Sequence, residues 1–163
     1  MASSTASLKA QFDLQTRLFN NATAGISEDE SGARKSEHIN NMKWIAGHLL
    51  NTRLGNLSKI AGLAPDESYN AQFGRGNSYD PNATYPPIYE IRAKWQATAD
   101  AIGNGISNIP EEVLASKSPV QAPIADDTML GLAAFLVSHE AYHIGQLGML
   151  RKMIGKEAMS YAL

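Results

Sequence analysis

The sequence predicts an all-α protein: a four-helix bundle in up-down-down-up order, with a long crossover between helices two and three. Three observations lead there. Apolar residues recur at helical spacing in four separate segments, no segment of useful length alternates with the period of a strand, and the linkers are markedly unequal. At 163 residues the chain fits one domain over residues 1–163 and is long enough to bury a core.

The first helix is predicted from about Ser7 to Asn21, where Leu8, Phe12, Leu14, Leu18 and Phe19 share a helical spacing. Residues 22–36 are turn-rich and end at Ser36, the expected N-cap of a second helix running from Glu37 to Ile60. Gly62 and Pro65 supply its stop signals. Such a helix is roughly 36 Å long at ~1.5 Å per residue. The linker from Gly62 to Pro86 is long enough to return along it, so helix three, from about Pro87 to Ser107, is expected to run parallel to helix two. Ile88, Ile91, Trp95, Ala99 and Ile102 give that helix its apolar stripe. Residues 110–123 are expected to be partly extended or a short helical turn. The fourth helix is predicted from a cap near Asp126, Asp127 and Thr128 to about Ile154 and Gly155.

Bulk composition narrows the function. Hydrophobic residues make up 44% of the chain, charged residues 18%, and the formal net charge is −2. No basic field is present to hold nucleic acid as a main partner. Cysteine is absent, which excludes disulfides, thiolate metal ligands and a cysteine nucleophile. The N-terminal residues lack the pattern of a secretory signal, and no apolar run approaches the ~20 residues that span a bilayer. A cytoplasmic protein without membrane association is expected.

Three histidines carry the chemistry. His139 and His143 stand four apart in the fourth helix, so both imidazoles share one helix face with Leu132, Leu136, Leu147 and Leu150. His48 lies on the apolar side of helix two, beside Trp44, Ile45 and Leu49. Two helices packed on those faces bring three neutral imidazoles to one divalent ion. Burying three such rings without partners costs about 1–3 kcal/mol each, which a shared ion removes.

Competing motifs fit less well. His139-Glu140-Ala141-Tyr142-His143 matches the H-E-x-x-H metalloprotease pattern. Yet Met149 occupies the position of a third histidine, Gln146 replaces the required glycine, and Glu157 lies too near to be the third ligand. A di-iron carboxylate bundle needs two E-x-x-H motifs and two more inward glutamates, whereas helices two and three offer only Glu37 and Glu90 at their edges. A bis-histidine haem leaves one histidine unexplained.

The run Gly47-His48-Leu49-Leu50, the long connection to helix three, and His139-x-x-x-His143 followed by Gly145-Gln146 resemble the DinB-like superfamily of metal-dependent four-helix bundles. The resemblance covers the chain from about Leu8 to Gly155. It implies metal ligands at His48, His139 and His143, a homodimer, and membership of a group that includes thiol-dependent transferases and isomerases.

Three nitrogen ligands leave an open coordination position, as catalytic sites do. Zinc, nickel, iron or manganese suits such a site, and a coordinated water there has its pKa lowered to about 7. A transferase or hydrolase acting on a small molecule is expected, with a low-molecular-weight thiol as co-substrate; the alternative is a metal-stabilised stress or binding protein without turnover. Gln146, one turn past His143, is a candidate to orient a ligand, and Glu140 a candidate general base. Glu140 and Tyr142 project to opposite sides of the His139–His143 line, where either is also a candidate to support the ligands; Glu140 as a solvated surface acid and Tyr142 as an interface ring are the alternatives. Asn41, Asn51 and Thr52 are expected to be polar lining, and His38 exposed. Trp44 and Trp95 are expected in the core or an interface, and Tyr79 and Tyr85 in a pocket wall or dimer contact. Gly74-Arg75-Gly76-Asn77 lacks the lysine and strand–helix context of a phosphate loop and is expected to be plain crossover.

Overall fold

A computed structural model describes residues 4–162. Its helices are α1 (Ser4–Thr23), α2 (Glu28–Gly32), α3 (Met42–Thr52), α4 (Ser58–Ile60), α5 (Asn70–Phe73), α6 (Ile88–Ser107), α7 (Glu111–Leu114) and α8 (Met129–Met153). A π-helical turn, Arg53–Leu57, joins α3 to α4 into one rod. No strand occurs among the described residues, and the segment after α7 contributes only an isolated bridge between Lys117 and Thr128. None of the helices is long and apolar enough to cross a membrane.

The second helix starts later than its sequence suggests. Ser36 only accepts the His38 N–H in a turn (3.2 Å). The N-cap is Asn41, whose Oδ1 accepts the Trp44 N–H at 2.8 Å while its Nδ2 donates to the Gly32 carbonyl at 3.0 Å. One carboxamide thereby starts α3 and anchors it to α2, a bond that a serine hydroxyl is too short to duplicate. Helix α2 itself, unforeseen in the turn-rich segment, is held by a capping box between Ser27 and Glu30. At the other end of the chain, the Thr128 hydroxyl accepts the Gly131 N–H at 3.1 Å and opens α8 as expected.

Helix α1 packs on α6 and α8, and the α3–α4 rod packs on the same two helices. The apolar core falls into two clusters. One gathers Phe19, Ile45, Leu49, Leu50, Trp95 and Leu147; the other gathers Phe12, Leu57, Ile102, Ile106, Leu132 and Leu136. On α1, the α3–α4 rod and α8 a polar residue lies at or near the changeover between the two clusters, and these three are joined, with Trp95 of α6 against them. Arg53, fully buried, donates from Nε and Nη2 to the two carboxylate oxygens of Glu140 at 2.8 and 2.9 Å. Its Nη1 donates to Thr16 Oγ1 at 2.8 Å, and its guanidinium lies 3.5 Å from the Trp95 ring centroid. One side chain therefore touches α1, α6 and α8 at once.

The π turn is where that arginine begins. A wide turn absorbs an extra residue, which rotates the chain after it relative to the chain before. The Ser58 N–H and hydroxyl both reach back to the Arg53 carbonyl, the hydroxyl at 2.9 Å, and so satisfy the widened turn.

Truncating either partner leaves a buried charge without a counter-ion. Arg53→Met or Glu140→Leu alone is expected to cost about 3–5 kcal/mol of stability, and the double substitution to recover most of that loss. Urea unfolding midpoints of the four proteins, wild type included, measure the cycle; equal losses in single and double variants would remove the pair's role.

Candidate metal centre

The folding just described delivers His48 from α3 to His139 and His143 on α8. One ring nitrogen from each of the three falls within 4.8 Å of the others, and no carboxylate joins the group among the described residues. The ring centroids lie 4.6–5.1 Å apart with interplanar angles of 57–72°, so the rings converge edge-on and do not stack. The site is half-buried.

Which nitrogen each ring presents is decided by its other nitrogen. His48 Nδ1 donates to the Phe73 carbonyl at 2.7 Å, leaving Nε2 as a lone pair. His143 Nδ1 donates to Gln146 Oε1 at 2.7 Å, with the same result. His139 Nδ1 is buried with no partner, and its ring is held only through Nε2, which faces the His48 lone pair and carries the proton unless a cation takes its place. Trp44 stacks on the His48 ring, centroids 5.3 Å apart and planes nearly parallel, and limits its rotation. Phe73 is seated over Gly47, where any Cβ would come within 2.3 Å of its ring. The glycine before His48 is therefore a seat for the residue whose carbonyl orients it.

Electrostatics keeps the rings neutral. Burial lowers the pKa of His48, against the opposing bond to Phe73. Burial likewise lowers His143, opposed by its bond to Gln146 and aided by repulsion from His48. His139, buried and repelled by both neighbours, is pushed down to about 4. Three unprotonated imidazoles at neutral pH are the donor set that a divalent cation requires.

The spacing also suits a cation. His48 Nε2 and His139 Nε2 stand 3.2 Å apart. Ligating nitrogens held about 2.0–2.1 Å from one ion are separated by about 3.0–3.4 Å. Two lone pairs that close repel unless a proton or a cation lies between them. The three-histidine group can bind a metal ion.

Two cavities meet the cluster. The larger, about 420 Å³, reaches His48 and His139 and is walled by Asn51, Thr52, Phe135 and the loop after α5. The smaller, about 360 Å³, reaches His48 and His143 and is lined by Trp44, Ile45, Tyr142, Gln146 and Met149.

Some of the residues singled out in the sequence stand where expected, His38 and the cavity-lining Asn51 and Thr52 among them, and others do not. Glu140 is not a base beside the histidines: it is 1% exposed, and both carboxylate oxygens are taken by Arg53 on the core side of α8. Gln146 contacts His143 directly, so it positions a ring. Asn41 is a helix cap and lines neither cavity. Thr52 donates to the His48 carbonyl at 3.0 Å. Tyr79 and Tyr85 stack on one another at 5.5 Å, and Tyr85 packs on Phe73, away from both cavities. His38 is exposed, with Glu37 at 3.5 Å, and is outside the cluster. The residues missed from sequence are Arg53, whose signal was a charge inside an apolar helix, and Phe73, which acts through its backbone and left none.

Compared with known proteins, residues 11–147 match the model of the DinB superfamily. The chain belongs to that superfamily. No match was found among curated proteins or among solved structures.

Gly47→Ala should unseat Phe73 and loosen His48, lowering metal affinity about 10–100-fold with the three ligands intact, as loss of a ligand's hydrogen-bond partner does. Competition titration with a chromophoric chelator reads this, and unchanged affinity would separate the seat from the site. In metal-free buffer the sign of the pH dependence follows from the lowered histidines. The unfolded chain binds more protons than the folded one between about pH 6.5 and the lower folded values, so unfolding free energy falls as pH drops from about 6.5 towards 4. The slope should flatten in His139→Phe; a denaturant series across that window checks it.

Proposed function

We propose that His48, His139 and His143 hold one divalent cation through their Nε2 atoms, and that the protein is a metal-dependent enzyme, a transferase or hydrolase acting on a small molecule with a low-molecular-weight thiol as co-substrate. The observation that carries this reading is the pairing of fixed Nδ1–H groups on His48 and His143 with Nε2 lone pairs that converge beside open cavities. A bound cation supplies Lewis acidity and stabilises an anionic ligand near neutral pH. The chain's own residues do the rest. The Phe73 carbonyl and Gln146 orient two rings, Trp44 walls one side against solvent, and the cavities admit a reactant from either side. Zinc, nickel, iron and manganese all suit three imidazoles. The up-down-down-up order and a homodimeric assembly belong to the same reading. The order is supported by α1 and α8 passing between the two core clusters in one direction while the α3–α4 rod and α6 pass in the other.

One observation favours a second reading, a metal-stabilised binding or stress protein without turnover. The carboxylate beside His139 is committed to Arg53, and no other acid joins the cluster among the described residues. A panel of thiol-conjugation, ester and amide substrates on the metal-loaded protein separates the two, turnover favouring the enzyme.

Elemental analysis of untagged protein purified without chelators tests the centre itself. About one equivalent of metal is expected in the wild type, with none retained tightly by His48→Ala or His143→Ala, since two imidazoles are a poor chelate. His38→Ala should keep its metal. Absence of metal from the wild type after incubation with zinc, nickel and manganese would overturn the reading.

A further inference from the structure

The larger cavity is walled on one side by a loop built around an arginine. Gly74 has no room for a side chain, because a Cβ there would lie 2.5 Å from the Asn70 carbonyl oxygen. Gly76 adopts φ +89°, which favours glycine, and Asn77 Nδ2 donates to the Ala71 carbonyl at 3.0 Å. The backbone is thus constrained on both sides of Arg75. The same loop begins at Phe73, whose carbonyl orients His48, so the arginine and the metal ligand are set by one piece of chain.

Arg75 is exposed, lines the cavity, and forms no ion pair with any described residue. Asn51 and Asn56 face the same space from the α3–α4 rod, half-buried, their side chains without a hydrogen-bond partner among the described residues. The other charges in the wall are matched: Lys59 stands 3.6 Å from Glu67, and Asp66 is 2.9 Å from Lys94. The lining charges balance in number, Lys59 and Arg75 against Asp66 and Glu67, but with Lys94 reaching Asp66 from outside the wall Arg75 is left as the lining charge without a counter-ion among the described residues, and any cation held by three neutral imidazoles adds to it. Phe135 and Leu132 supply an apolar floor beside His139.

We propose that this cavity takes a small, polar, carboxylate-bearing molecule, its carboxylate on Arg75, its middle against Asn51 and Asn56, and its other end at the His48–His139 edge of the centre. The proposal rests on the metal reading above. A guanidinium pairs with a carboxylate through two parallel bonds. One unpaired guanidinium matches the charge of a monoanion, so a carboxylate suits this wall better than a dianionic phosphate. A volume near 420 Å³ sits at the small end of ligand pockets and suits a molecule of metabolite size.

The test uses the full chain loaded with cobalt and two probes that differ in one group, 3-mercaptopropionate and 3-mercapto-1-propanol. Thiolate binding is read from the sulfur-to-cobalt charge-transfer band. The carboxylate probe is expected to bind about tenfold more tightly to the wild type, the ratio expected of one charge-assisted contact. Arg75→Gln should bring that ratio to about one, and Met149→Ala, in the smaller cavity, should leave it unchanged. Equal affinity of the two probes in the wild type overturns the proposal, as does a preference that survives Arg75→Gln or vanishes in Met149→Ala. Cobalt bound through the histidines without discrimination between probes defeats this proposal alone. Failure to take up cobalt, seen as absent d–d absorption, defeats the metal reading beneath it.

Discussion

The Arg53–Glu140 ion pair is the constraint on which the rest of the structure depends. Two charges withdrawn from water are tolerated only when their hydrogen-bonding capacity is met, and here it is met by α1, α8 and the π turn together, with the Trp95 ring covering the guanidinium. Such a pair has little freedom to slide. A shift of the α3–α4 rod by one residue against α8 would strand both charges, so the pair sets the register between these elements. His139 is the residue before Glu140, and His48 lies five before Arg53. The register that satisfies the ions is the register that brings the imidazoles together. Stability and site geometry are one choice made twice on the same two elements.

Within the cluster, neutrality and orientation have separate causes. Desolvation and mutual repulsion keep protons off the rings; the partners of Nδ1 decide where the lone pairs point. His139 has the first without the second. It is the ring most strongly depressed and the one whose Nδ1 no neighbour holds. Its orientation comes from packing, between Phe135 at 6.0 Å and the other two histidines.

Periodicity made the four long helices and the three histidines legible in the sequence, since helical spacing places residues on faces whatever their partners are. The start of α3 was less so. Ser36 and Asn41 are both good caps, and the choice rests on Asn41 also reaching the Gly32 carbonyl, a contact visible only in three dimensions. The π turn has no sequence signature either; the extra residue is accommodated because Arg53 gains a buried partner from it. Glu140 was misread for a related reason. The H-E-x-x-H spacing puts it beside a histidine in sequence but about 100° around the helix, and which side is solvent depends on where Arg53 lies. The cavity walls, drawn from α8, the rod and two loops, were beyond any local pattern.

The two fixed ligands differ in what holds them. Gln146 is a side chain, so a single codon change removes the acceptor from His143 outright. The acceptor for His48 is the carbonyl of Phe73, and every amino acid has a carbonyl. No replacement at position 73 deletes that bond; it yields only to changes that move the backbone, such as a side chain at Gly47 or a reshaped turn at Gly74. Drift in sequence therefore has unequal access to the two rings. One ligand is open to gradual retuning through its neighbour's identity, while the other is buffered against substitution and exposed only to changes in shape.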